Sequence, residues 1–361
     1  MLYNIIVIFF GGIYMTLRRL VSLFLAIIFV FSLSACSKPE DVSPDDSSAI
    51  VDQKEETGDF AVNPLTGEEN LNPDYKGKKP ISITVNNVAV AQPVQSGIDK
   101  ADVVFETEVE GGITRLLALY ADPTVAGPIG TVRSLRVPFA EIACGMGSIL
   151  VHHGIDPAYC APLLPSLPIQ AYNLDTTVYG YREKNGLALE HTLYTTGEKL
   201  AKLVENKKYD TASSGKPWLN FNTKKKAVVP GDGVANNVTV PFSNVTTTQF
   251  IFDDEEGKYI RANRKGVAFK DYSSGNNELF TNVFILNAEI SDYPDGYHRQ
   301  IDFSSGTGYY VSNGGYTEIK WSKGEAGDAF KFTTAKGKKL TVNRGNSYVC
   351  IVNLNKEPSF S

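Results

Sequence analysis

The stretch FETEVEGGITRLLALY, residues 105–120, constrains the fold more than any other part of this chain. Two β-rich runs flank Gly111-Gly112, a pair that readily supplies the positive-φ positions of a two-residue hairpin turn. Such a turn fixes partners whose numbers sum to 223, opposing Glu110 to Ile113, Glu108 to Arg115 and Glu106 to Leu117. Because side chains alternate across a strand, Phe105, Thr107, Val109, Leu116 and Ala118 form an apolar face. Glu106, Glu108 and Glu110 then share the other face with Arg115 near the turn. Like charges adjacent on a sheet face destabilise it, so this end of the hairpin calls for cations or a polar ligand.

Cations stand close by in TVRSLR, which sets Arg133 and Arg136 three apart at the start of an expected helix. The helix macrodipole disfavours positive charge there, so both groups are misplaced unless they meet something negative. Three arrangements satisfy them. The first is a salt-bridge network of Glu106, Glu108 and Glu110 with Arg115, Arg133 and Arg136. The second is a cleft in which the arginines orient an anionic or sugar ligand beside a general-acid glutamate. The third is a divalent metal on the glutamates, although no ligand-spacing motif supports one.

Around the hairpin the chain reads as alternating short elements. PISITVNNVAV (80–90) alternates as a strand and stops at Asn86-Asn87. SLRVPFAEIACGMG is a short helix with Pro138 in its first turn and Gly145 or Gly147 at its end. SILVHHG (148–154) is a buried strand. TTGEKLAKLVENKK (195–208) is a helix with a Thr195-to-Glu198 capping box and Leu200, Leu203 and Val204 on one face. After SSGKP (213–217) the texture changes to strand-like pieces punctuated by Gly, Asn and Asp, and 18 Tyr and 19 Phe suit such strands. The expected fold is α+β. A mixed α/β N-terminal domain over 63–212, centred on the hairpin sheet, precedes a smaller β-rich domain over 213–361.

The first 36 residues stand apart from that fold. Arg18-Arg19, the run LVSLFLAIIFVF and LSAC (33–36) form a signal peptide with a lipobox, making Cys36 the lipidated residue. The hydrophobic run before Met15 is superfluous to a signal peptide, and residues 1–14 read as a mis-called start. The first 35 residues hold two arginines and no acids, so the remainder carries 33 basic against 40 acidic side chains, a net −7. That balance argues against nucleic acid. Residues 37–62 hold eight acids and two lysines and read as a disordered tether. Its root-mean-square span is roughly 28 Å. The expected location is extracytoplasmic, lipid-anchored to the outer face of the cytoplasmic membrane of a Gram-positive bacterium, with an envelope polymer or protein as partner.

Catalytic motifs are missing: no GxSxG, HExxH or Walker loop occurs, and no cofactor or metal is implied. His152 and His153 are neighbours on a strand and point to opposite faces, so at most one joins a given site. His191 lies in a loop, where polar residues often serve function. Once Cys36 is lipidated three cysteines remain, and a Cys144–Cys160 bridge is one arrangement of them.

NPLTG (63–67), PISITVNN (80–87), QSGIDKADVVFE (95–106), EGGITRLLAL (110–119), IGTVRSLR (129–136) and HTLY (191–194) together resemble the YerB-like bacterial lipoproteins, a two-domain family built on a domain of unknown function. The resemblance runs from Asn63 to the end, with a smaller second domain around IKWSKG. Thr131, Glu190 and Tyr348 depart from the family pattern, and none of the three positions is a member of the charged set. The resemblance implies that Glu106, Glu110, Arg115, Arg133, Arg136 and His191 are a shared feature, and it implies no reaction.

Two functional expectations follow. The first is a binding module that holds a polar envelope ligand or partner among Glu106, Glu108, Glu110, Arg115, Arg133, Arg136, His152, His191 and Tyr194. The second is a peptidoglycan-cleaving enzyme with a glutamate general acid. Glu106 or Glu110 is then the acid, with His191 a further catalytic candidate, because Glu108 is expected to pair with Arg115 and a paired carboxylate stays ionised. An enzyme needs a carboxylate free of arginine in an apolar pocket.

Overall fold

The computed structural model describes residues 60–361 apart from Lys225. The signal peptide, the start at Met15, Cys36 and nearly all of the acidic tether lie outside the described residues. In chain order the elements that position the site are β1 (Ile81–Asn86), β2 (Val103–Glu110), β3 (Ile113–Tyr120), α1 (Val137–Gly145), β4 (Ile149–His152), β5 (Ala171–Asn173) and α2 (Gly197–Asn206). They are followed by β6 (Asn282–Ala288), β7 (Ser305–Ser312), β8 (Gly315–Ser322), β9 (Lys331–Thr334) and β10 (Ser347–Asn353). These strands form one path, β9-β8-β7-β6-β10-β2-β3-β1-β4-β5, and the short strand Gly233–Val234 adds to β8 to make an 11-stranded sheet. The segments on either side of residue 213 therefore share a sheet, with β10 inserted between β2 and β6. A five-stranded antiparallel sheet from the second segment packs nearby, and strands far outnumber helices.

The hairpin turns at Gly111 and Gly112, with φ of +55° and +81°, a region that costs glycine nothing. Its register departs from the even expectation. Glu110 opposes Ile113 as expected, but a bulge between Glu108 and Glu110 shifts the rest by one, so Glu108 faces Thr114, Thr107 faces Arg115 and Glu106 faces Leu116. A bulge adds one unpaired residue to one strand and reverses the alternation beyond it. The three glutamates therefore do not line one face.

The division into one apolar and one charged face is also corrected, because every residue of β2 is buried. Phe105, Leu117 and Leu119 join a core with Phe139, Phe284 and Phe330, where the Phe105 and Phe330 rings stack at 5.7 Å. Val104, Leu116 and Ala118 join a second core with Ile83, Leu200 and Tyr348. Burial on both faces is what a central strand of a covered sheet requires. Each core aromatic contributes about 1.5–3 kcal/mol by leaving water.

Helix α1 begins as expected, with Pro138 in its first turn. The cap of α2 is one residue later than expected. Thr196 Oγ1 accepts from Lys199 N at 3.2 Å, whereas Thr195 is buried and donates to the Tyr179 carbonyl at 2.7 Å. Cys144, Cys160 and Cys350 are all free and buried, so the Cys144–Cys160 bridge is not formed. Burial pushes the first two thiols up to about 11 and about 12.

Candidate functional site

Strand direction locates the site. β6, β10 and β2 are mutually parallel, β1 and β2 are both antiparallel to β3, and β4 and β5 follow β1 in parallel. All six thus end at one edge, at Ala288, Asn353, Glu110, Asn86, His152 and Asn173. Ligands of open sheets with parallel strands gather outside the carboxyl ends of those strands. The segment 131–136 crosses this edge: Val132 bridges Val85, and His153 N donates to the Arg133 carbonyl at 3.0 Å. That crossing brings TVRSLR onto the hairpin.

Glu110 is the hub. Arg115 Nη2 donates to its Oε1 at 2.5 Å, while Arg136 donates from Nε to Oε2 at 2.6 Å and from Nη2 to Oε1 at 2.8 Å. Arg136 precedes α1, and its guanidinium answers the unfavourable helix position by turning to Glu110. Arg115 also donates to the Ser134 carbonyl. Two guanidiniums on one carboxylate leave one surplus positive charge in a buried setting. Burial first, and Arg136 second, push Arg115 down to about 9 against the pull of Glu110.

Arg133 stands apart from Glu110. Its Nη1 donates to the Glu190 carbonyl at 3.0 Å and to Glu190 Oε2 at 3.3 Å, and its buried Nε has no partner among the described residues. Glu190 itself is 58% exposed. His191 Nδ1 accepts from Asn86 Nδ2 at 2.8 Å, which puts the ring proton on Nε2, 3.4 Å from Glu190 Oε1. His152 and His153 diverge as expected, donating to the carbonyls of Gly154 and Leu174 at 2.7 Å each. Burial lowers the pKa of His152. Tyr194 is wholly buried and donates to the Val94 carbonyl at 2.7 Å, a packing role away from any opening.

Glu106 and Glu108 leave this group. Glu108 pairs with Arg299 at 2.7 Å, not with Arg115. Glu106 is 0% exposed. Asn87 Nδ2 and Thr114 Oγ1 each donate to its Oε1 at 2.7 Å, and Thr248 Oγ1 and Tyr348 Oη donate to its Oε2 at 2.9 and 2.6 Å. Four donors fill the acceptor sites of a carboxylate. No glutamate of the three therefore combines freedom from arginine with an opening through which a general acid reaches substrate.

Sequence reasoning missed the rest of this buried network. Arg261 donates to Glu278 Oε2 at 2.7 Å and to Asn87 Oδ1 at 2.7 Å, with its guanidinium 4.2 Å from the Phe269 ring centroid. It also missed His298, held by Asp295 at 2.6 Å, and Arg299. A lone arginine inside the strand-like KYIRAN is the one signal that marks Arg261. The others take their meaning from partners distant in sequence. No group of three or more metal-ligating side chains occurs among the described residues.

Residues 65–210 match the family described as Protein of unknown function (DUF3048) N-terminal domain, and residues 238–349 match its C-terminal domain. The Bacillus subtilis (strain 168) protein described as "Putative lipoprotein YerB" is 29% identical over 305 residues, 82% of this chain and 86% of that protein. A crystal structure of YerB from Bacillus subtilis superposes with a TM-score of 0.71 at 28% identity, covering 83% of this chain and 99% of that one. The chain therefore belongs to the DUF3048 family of YerB-like proteins, with the family's N-terminal and C-terminal domains in order.

Proposed function

We propose that this is a lipid-anchored extracytoplasmic binding protein whose sheet edge holds an anionic group of a cell-envelope ligand. The observation that carries the reading is the sharing of one carboxylate, Glu110, by Arg115 and Arg136. An anion arriving at the edge offsets the surplus charge, and guanidiniums match carboxylate and phosphate oxygens in paired hydrogen bonds. Arg133 adds a further cation whose one carboxylate partner among the described residues, Glu190, is exposed and displaceable. The lipobox LSAC at 33–36, together with the description of the Bacillus subtilis relative as a lipoprotein, supports the anchored location.

The test uses the full chain in detergent with isolated cell-wall sacculi, before and after removal of their anionic polymers. Co-sedimentation that disappears with the polymers, and falls at least tenfold in Arg133→Gln, is the expected result. Equal sedimentation with stripped sacculi would refute the anionic ligand. Soluble fragments released by wild type would instead establish a wall-cleaving activity. Cys36→Ala should move the protein from the membrane to the soluble fraction.

A further inference from the structure

A second feature of the same edge is a groove of about 510 Å³ beside the hairpin turn. Its floor is Gly111-Gly112, and its walls come from Ser243–Val245, Ile290–Asp292, Asn353, Asn355 and Lys356. The two glycines keep it open. A Cβ on Gly112 would lie 3.2 Å from both Ser243 Oγ and Val245, tighter than side chains normally approach, whereas one on Gly111 would only touch the Tyr297 ring at 3.4 Å. The double glycine therefore serves the turn and also leaves a floor bare of side chains.

The lining differs in kind from the Glu110 cluster. Glu108 and Asp292 balance Arg299 and Lys356, so the groove has no surplus charge to draw an ion. Arg299 is clamped by Glu108 Oε1 and by Asp292, which fixes its planar fork in place. Glu108 Oε2 and the exposed Asn355 remain as an acceptor and a mixed donor and acceptor on the walls. Tyr297, 51% exposed, sets its ring edge against Gly111, beside the groove and outside its lining.

From this we infer that the groove binds a neutral oligosaccharide. Sugar hydroxyls both donate and accept, which suits planar carboxylate, amide and guanidinium groups held in fixed positions. The C–H face of a pyranose ring packs on an aromatic face such as that of Tyr297. Balanced charge, fixed planar partners and an exposed ring next to the groove jointly favour a sugar over an ion or an apolar molecule. This inference is independent of the anion at Arg133 and Arg136.

The experiment titrates chitotetraose, cellotetraose and maltotetraose into the full chain held in a sugar-free detergent, followed by calorimetry. Saturable binding of at least one sugar is expected. Affinity should fall tenfold or more in Ser291→Trp, which fills the groove from an exposed position, and in Tyr297→Ala. Unfolding midpoints of both variants report on their folding, and Arg133→Gln should bind the sugar as wild type does. Failure of all three sugars to bind saturably, or full affinity in both groove variants, overturns the inference while leaving the anionic-ligand reading to its own test.

Discussion

Glu106 and Glu110 lie in one strand, both are buried, and they are held in opposite ways. Glu106 is enclosed by four uncharged donors, two of them, Thr248 and Tyr348, from the second half of the chain. Glu110 is held by two guanidiniums, both from the first half. The first arrangement is complete, leaving no site for a further ligand. The second carries more cation than anion. A fully satisfied polar network rigidifies a core, whereas charge left unbalanced at an edge is what a ligand can complete. The contrast separates a clasp between segments from a candidate binding site four residues further along β2.

The largest effect should come from the buried Arg261–Glu278 pair, which braces the clasp because Arg261 also donates to Asn87, one of the donors to Glu106. Arg261→Met leaves Glu278 charged and unpaired in the interior, and breaking a buried pair on one side costs about 3–5 kcal/mol. The double variant Arg261→Met, Glu278→Leu should recover much of that loss in urea denaturation. If the double variant is no more stable than the single, the pair is not the source of the cost. Glu106→Gln comes next. Its amide turns a donor toward groups that already donate, a loss of about 1–3 kcal/mol, with anion binding retained if clasp and site are separate.

Arg136→Gln should show the reverse pattern. Arg115 still neutralises Glu110, so the stability loss stays near 1–2 kcal/mol, while sedimentation with anionic sacculi should fall at least tenfold. A large stability loss with unchanged binding would make the Glu110 cluster a second clasp and erase the contrast. The smallest stability change belongs to Arg133→Gln. Its pair with the exposed Glu190 is worth about 0–1 kcal/mol, so its effect should appear in binding alone.

Asp102 offers a pH test in the same sheet. Burial pushes its carboxyl up to about 7, although Ala121 N and Asn63 Nδ2 donate to it. The folded protein then holds a proton that the unfolded chain has released, so this group's contribution to stability falls as pH rises from about 4 to about 7. Urea midpoints of Asp102→Asn should show a shallower pH slope across that window than wild type. An unchanged slope would mean that Asp102 titrates alike in both states.

Much of the scaffold was legible locally. The Gly111-Gly112 turn, the strand ending at Asn86, the helix after Pro138 and the divergence of His152 from His153 follow from residue type and period. The link between Glu110, Arg115 and Arg136 was legible too, as a misplaced charge on each side. The register was not, because a bulge at Val109 leaves no mark in an alternating sequence. A one-residue shift moved Glu108 from Arg115 to Arg299 and carried Glu110 to Arg115. The cap of α2 slid from Thr195 to Thr196 because both are threonines, and burial of the first against Tyr179 decided between them.

The sequence by itself determined the hairpin, the strand-rich second half, the excess acid of the chain outside its first 35 residues and the presence of a charged set at one end of β2. Local steric preference and side-chain period depend on near neighbours, which a sequence displays. Tertiary structure alone decided which charges meet. Tyr348 reaches Glu106 from 242 residues away and Arg299 reaches Glu108 from 191. Such pairs form because burial makes an unpaired polar group costly wherever its partner lies in the chain, and that cost is settled only once the sheet has brought both ends together.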